Sequence, residues 1–293
     1  MTDGARIFAI AAALSACGDG GTAGPLDGHP DTSLPGDADG SLASRCQIQA
    51  MQITCAHDTL SLSDSTADRD IAYETPLGVA PATGWPAVIY FQGSFVTGTS
   101  AFAAQVGAPF GEYNLTLTIK ALLDSGYAVI APNAAMMGST FWETNVPPYS
   151  TSWTGSPDDV FVTRILAAIP AGMFGTIDPS RLYAMGISSG GFMTSRMAVS
   201  YPGVFRALAD HSGSYATCSA ICVVPTPLPA DHPPVLFLHG DTDAIVPMSA
   251  VQPYFAALQA EGIEAQLVTD PNAGHEWLAA GATTIPAWFT SHP

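Results

Sequence analysis

Two serines stand side by side in Gly186-Ile187-Ser188-Ser189-Gly190, a match to the pattern G-x-S-x-G. A serine hydroxyl is a weak nucleophile near neutral pH. It becomes effective in acyl transfer when a histidine takes its proton and a carboxylate fixes that histidine's tautomer and stabilises its charged form. The pattern needs a turn so sharp that the residues two before and two after the nucleophile must be small. Gly186 and Gly190 bracket Ser188 in that way, whereas Ser189 would be bracketed by Ile187 and Gly191. Ser188 is therefore the candidate nucleophile.

The other two groups follow in the order acid, then base. In His239-Gly240-Asp241-Thr242-Asp243-Ala244-Ile245-Val246-Pro247 two acids compete, and the pattern D-x-x-V-P favours Asp243, with Asp241 left to cap the turn. Near the C-terminus, Gly274-His275-Glu276-Trp277 offers His275 as the base. Attack on a carbonyl puts negative charge on its oxygen, and two backbone N–H groups must face that oxygen. Ser189, at the start of a helix, is one candidate donor. Ser94, just after Gly93, is the other.

These residues require elements to carry them. Arg181 to Ile187 reads as a buried strand after the turn signal Asp178-Pro179-Ser180, and Ser189 to Tyr201 as a helix ended by Pro202-Gly203. Further strands are expected at Ile71–Pro76, Ala87–Phe91, Tyr127–Ala131, Val235–Leu238 and Ala265–Val268, with helices at Leu115–Asp124, Asp158–Ile169 and Val251–Gly262. Strands alternating with helices imply an α/β fold: a mostly parallel sheet covered on both faces. No internal repeat is visible.

Lys plus Arg number 8 against 25 Asp plus Glu, a formal net charge of −17 in 293 residues. Such a surface argues against electrostatic binding to nucleic acid or anionic lipid. Only 11% of residues are charged, so much of the surface must be small or apolar, which suits contact with a greasy, insoluble substrate. The seven histidines are dispersed and no metal-ligand spacing occurs; neither metal nor cofactor is expected.

Residues 1–16 carry Arg6 and the apolar run IFAIAAAL, too short to span a bilayer and suited to an export signal. Leu14-Ser15-Ala16-Cys17 resembles the bacterial lipobox, which would make Cys17 the lipidated residue; Asp3 departs from the usual basic start. Residues 17–43, rich in Gly, Pro, Asp, Ser and Thr, read as a disordered tether, and 44–293 as the catalytic domain. Cys46, Cys55, Cys218 and Cys222 form an even set in an exported chain. Proximity favours Cys46–Cys55 and Cys218–Cys222 among three possible pairings.

The run DPSRLYAMGISSGGFMTSRMAVSYPGVFRALADHSGSYATC, with YFQGSF before it and HGDTDAIVP and AGHEW after it, resembles the extracellular depolymerases of medium-chain-length polyhydroxyalkanoates. More distantly it is similar to polyhydroxybutyrate depolymerases and to feruloyl and acetylxylan esterases. The resemblance covers about Ser44 to the C-terminus. It implies the α/β-hydrolase fold with little or no lid, and it places Ser188, Asp243 and His275 on the family's triad positions. Two expected features separate it from the short-chain enzymes, QGS rather than HGC at the oxyanion loop and no linker and binding domain after the catalytic one; the lipobox is a further departure, since these depolymerases are normally released. The short stretch Ala207 to Pro234 leaves no room for a large lid unless 99–113 or 136–156 supplies one. Phe95, Trp142, Trp153 and Trp277 are expected to form an apolar shelf at an open cleft. His211 and Ser212, which end a strand-like run, are read as supporting residues.

The expectation is an exported serine esterase, held at the cell surface through Cys17 or released, that cleaves a hydrophobic polyester. A carbohydrate esterase or general carboxylesterase is the alternative, and a non-catalytic binding lipoprotein the second. A peptidase is less favoured, because no gating domain is evident.

Overall fold

The computed structural model describes residues 43–135, 141–218 and 222–293; the expected export signal, Cys17 and nearly all of the tether lie outside them. The described residues open with an antiparallel hairpin, β1 (Cys46–Gln49) and β2 (Gln52–Cys55), in which Cys46 pairs with Cys55 and is joined to it by a disulfide. Strands β3 (Asp58–Ser63), β4 (Asp68–Glu74) and β5 (Trp85–Phe91) follow, then β6 (Ala103–Gln105), which adds to β2. Helix α1 (Glu112–Asp124), β7 (Ala128–Pro132), α2 (Pro157–Ala168), β8 (Ile177–Ile187), α3 (Ser189–Ser200) and β9 (Phe205–His211) continue the chain. It ends with β10 (Val235–Gly240), α4 (Met248–Ala260), β11 (Ala265–Asp270) and α5 (Gly281–Ser291).

The main sheet has the order β11-β10-β9-β8-β5-β7-β4-β3 and is parallel from β11 to β7; β4 and β3 run antiparallel at one edge. Its inner strands are buried on both sides, as their unbroken apolar runs require. Along β8, Leu182 and Ala184 face one core layer with α2, α3 and α4, while Tyr183, Met185 and Ile187 face the other with α1 and α5. Consecutive parallel strands with crossover helices deliver the C-terminal ends of β5, β8 and β10 to one edge of the sheet. In such folds ligands sit beyond those ends.

All six expected strands and four expected helices are present. The segment 99–113 holds only single helical turns and β6, and residues 141–156 are turns, so no large helical lid covers the sheet's C-terminal edge among the described residues. Cys218 and Cys222 are also disulfide-bonded.

Candidate active site

β8 ends at Ile187, and the chain reverses through Ser188, whose φ of 58° and ψ of −123° open α3. A non-glycine residue there is strained by about 1–3 kcal/mol and persists only where the surroundings over-determine it. The surroundings are glycines: a Cβ on Gly186 would lie 2.3 Å from the Gly190 carbonyl oxygen and 2.6 Å from that of Phe91. One on Gly191 would lie 2.5 Å from Asp210 Oδ1. The strain falls on Ser188, and its neighbour Ser189 is already in the helix. The Ser188 amide donates to His211 O at 3.0 Å.

The loop after β5 closes over this turn. A Cβ on Gly93 would be 3.8 Å from Ser188 Cβ, and Ser94 Oγ donates to Ser189 Oγ at 3.2 Å, so the two residues whose amides are the candidate oxyanion donors are in side-chain contact. Gln92 anchors the loop from below: its Nε2 donates to Val96 O and its carbonyl accepts Trp142 Nε1 at 3.1 Å. The amide of Ser189 is among the first N–H groups of α3, which have no partner within the helix.

Asp243, buried after β10, accepts the amides of Ile245 (2.8 Å) and Val246 (2.9 Å) on Oδ1 and His275 Nδ1 (2.7 Å) on Oδ2. Burial would raise its pKa, but these hydrogen bonds and the His275 charge outweigh it and hold the carboxyl below its ordinary value. Asp241 is exposed. With Nδ1–H given to Asp243, the His275 Nε2 carries the lone pair that a general base needs. No hydrogen bond joins the Ser188 hydroxyl to His275; catalytic contacts of this kind tighten in the Michaelis complex. The two loops interlock, since a Cβ on Gly240 would lie 2.3 Å from the carbonyl oxygen of Gly274.

His239 is a residue to which the sequence reading gave no role. Its Nε2 donates to Val246 O at 2.8 Å and lies 3.6 Å from Asp243 Oδ2. Burial lowers its pKa, so the ring is neutral and pins the Asp243 loop. Its place at the end of a buried strand, four residues before the acid, was the available signal.

The apolar shelf is corrected in three of its four members. Trp142 is fully buried edge-on against Phe91, because its indole N–H must reach Gln92 O. Trp153 is buried beneath the guanidinium of Arg196, 5.0 Å from its ring centre. Trp277 is buried against His211, with Nε1 donating to Thr118 Oγ1 at 2.9 Å. Phe95 alone is exposed, at 81%, with a left-handed φ of 68°. Ile245, two residues past Asp243, is 63% exposed and was missed, because in the run Ala244-Ile245-Val246 nothing local shows which side chain faces outward.

A parallel sheet that brings a strained serine and a hydrogen-bonded Asp–His pair to the C-terminal ends of its strands defines an α/β-hydrolase of the serine type. Comparison with known proteins agrees. The prolyl oligopeptidase family model matches residues 114–223 and 214–292. The poly(3-hydroxyoctanoate) depolymerase of Pseudomonas fluorescens is 48% identical over 259 residues, 86% of this chain and 92% of that protein. Feruloyl esterase B of Thermothelomyces thermophilus is 36% identical over 104 residues, 36% of this chain and 34% of that protein. The acetyl xylan esterase of Aspergillus awamori superposes with a TM-score of 0.59 at 16% identity, over 80% of this chain and 99% of that one. The chain thus belongs to the prolyl oligopeptidase family by its hydrolase segment, and to the poly(3-hydroxyoctanoate) depolymerase family along most of its length. It is a serine ester hydrolase.

Proposed function

We propose that this protein hydrolyses ester bonds of a hydrophobic polyester, most of all a medium-chain-length poly(3-hydroxyalkanoate). The observation that carries this is the Asp243–His275 hydrogen bond of 2.7 Å together with the strained turn at Ser188, in a chain 48% identical to a poly(3-hydroxyoctanoate) depolymerase. Ser188 Oγ attacks the ester carbonyl while its proton passes to His275 Nε2. The Ser189 and Ser94 amides hold the oxyanion. His275 then protonates the departing hydroxyl, leaving an acyl group on Ser188. Water, deprotonated by the same imidazole, attacks that acyl group and releases a hydroxy acid. Exposed Phe95 and Ile245 on the loops that carry these groups suit an uncharged chain lying over an open edge.

Export, with Cys17 as a lipid anchor, is part of the proposal; two disulfides support an oxidising compartment. No helix among the described residues is long and apolar enough to cross a membrane. The partial similarity to feruloyl esterase B makes an aryl or carbohydrate ester the second reading. A turbid poly(3-hydroxyoctanoate) latex should clear with the parent protein and not with Ser188→Ala. A parent protein that releases ferulate from arabinoxylan but leaves the latex turbid would support the second reading.

A further inference from the structure

One residue, through its carbonyl on one side and its ring on the other, touches the supports of both proton-transfer partners and has no role in the scheme above. His211 is the last residue of β9, fully buried, paired with Ile187 on β8 and with Leu238 on β10. Its carbonyl accepts the Ser188 amide at 3.0 Å. Its ring Nε2 accepts the amide of Leu278 at 2.8 Å, three residues past His275. The ring lies nearly parallel to Trp277, at 4.7 Å between centres and 20° between planes. We infer that His211 is a positioning residue that sets the separation between the Ser188 hydroxyl and the His275 ring; this rests on the assignment of those two residues under Proposed function.

The tautomer follows from the contacts. Nε2 accepts a backbone N–H, so the ring proton sits on Nδ1, which faces Ser212 Oγ at 3.4 Å. An imidazolium would present a donor to a donor. Burial keeps the ring neutral, and the nearby His239 and His275 act in the same direction, against Asp243. A leucine in its place would fill much of the volume, yet leave the Leu278 amide without an acceptor. That amide lies in the segment that leads out of the His275 loop, so its release shifts the base relative to the nucleophile. Displacements of about 1 Å in such pairs cost on the order of 100-fold in rate. The segment's other ties, Trp277 N–H to Phe110 O at 2.8 Å and Asn114 Nδ2 to Trp277 O at 3.1 Å, attach it to α1 and its approach and not to the elbow.

The test compares parent, Ser188→Ala, His211→Leu and His211→Gln on a soluble p-nitrophenyl octanoate, with thermal melts for each. His211→Leu should lose roughly 10- to 100-fold in kcat with KM within about twofold. His211→Gln, whose amide oxygen can reach Leu278 N–H, should recover most of that loss even if its melting temperature matches the leucine variant. Equal impairment of the two variants, or a leucine variant within about twofold of the parent in kcat, would overturn the inference. If the leucine variant does not fold, His211→Asn, one methylene too short to reach Leu278, takes its place with the same expected loss. Activity surviving in Ser188→Ala would instead remove the underlying assignment.

Discussion

A Cβ placed on Gly190 would lie 2.0 Å from the carbonyl oxygen of Phe91 and 2.4 Å from that of Gln92. The first turn of α3 therefore rests directly on the backbone that leads into the Ser94 loop. At this point nucleophile and oxyanion loop meet main chain to main chain, with no side chain available to yield.

Gly190→Ala should for that reason be far more damaging than an alanine elsewhere in a helix. The added methyl meets backbone, so either α3 or the end of β5 must move. Overpacking of this kind costs about 3 kcal/mol or more. The melting temperature should fall by roughly 10 °C, and the folded fraction should lose activity. Ser189→Ala keeps its amide and should retain activity within about threefold. A Gly190→Ala protein with parental stability would refute the close packing.

Asp243 yields a prediction with a pH sign. Its folded pKa lies below the ordinary 3.8. Its ion-pair and hydrogen-bond contribution is thus fully present above that value and lost as pH falls through the lower folded pKa. Asp243→Asn should be less stable than the parent at pH 7, and the gap should close as pH drops below about 4. Its kcat should fall by roughly 10³–10⁴-fold, because the amide no longer enforces the His275 tautomer. Melts of the two proteins from pH 7 to pH 3 test the first part, and steady-state rates the second.

How far this could be seen in the sequence depended on the kind of signal. Gly186, Ser188 and Gly190 announce themselves because a steric rule fixes their spacing. Asp243 and His275 stand on loops directly after apolar runs, where short motifs survive. The tryptophans misled because size and greasiness say nothing of which way a ring faces: Trp142 and Trp277 turn inward to satisfy their indole N–H groups on Gln92 and Thr118. α5 escaped notice since Thr283, Thr284, Ile285 and Pro286 all disfavour a helix. Packing of Ile285, Trp288 and Phe289 into the core layer shared with α1 overrides those preferences. β3 was hidden by its polar, half-exposed edge position. The link from His211 to Leu278 spans 67 positions and has no local trace at all.

Phe95 combines exposure with a left-handed backbone. Phe95→Gly should remove the contact face and relieve the backbone together, leaving stability unchanged or raised by up to about 1 kcal/mol. Hydrolysis of a short soluble ester should change by less than about threefold, while latex clearing should slow by at least about tenfold, since only the polymer needs an apolar landing site. Parallel slowing on both substrates would show that Phe95 supports the oxyanion loop and does not touch the chain.

Arg196 extends from the elbow helix into a site with no carboxylate. Its Nε donates to Thr144 Oγ1 at 2.8 Å, and Nη2 donates to the carbonyls of Thr144, Ser150 and Ala216 at 3.1, 3.2 and 3.3 Å. Burial draws its pKa down to about 10, so it stays charged at neutral pH. The side chain ties α3 to residues 141–156 and to the chain after β9 at once. Arg196→Met keeps the length and removes an unpaired buried cation, which is favourable. It also strands three carbonyls at about 1–3 kcal/mol each. The losses should win, for a net destabilisation of about 2 kcal/mol. Because the tied segments lie outside the Asp243–His275 pair, kcat should fall by less than about threefold. Limited proteolysis should now cut within 141–156 at protease levels that leave the parent intact. An Arg196→Met protein as stable and as protease-resistant as the parent would show that the two segments hold themselves without the guanidinium.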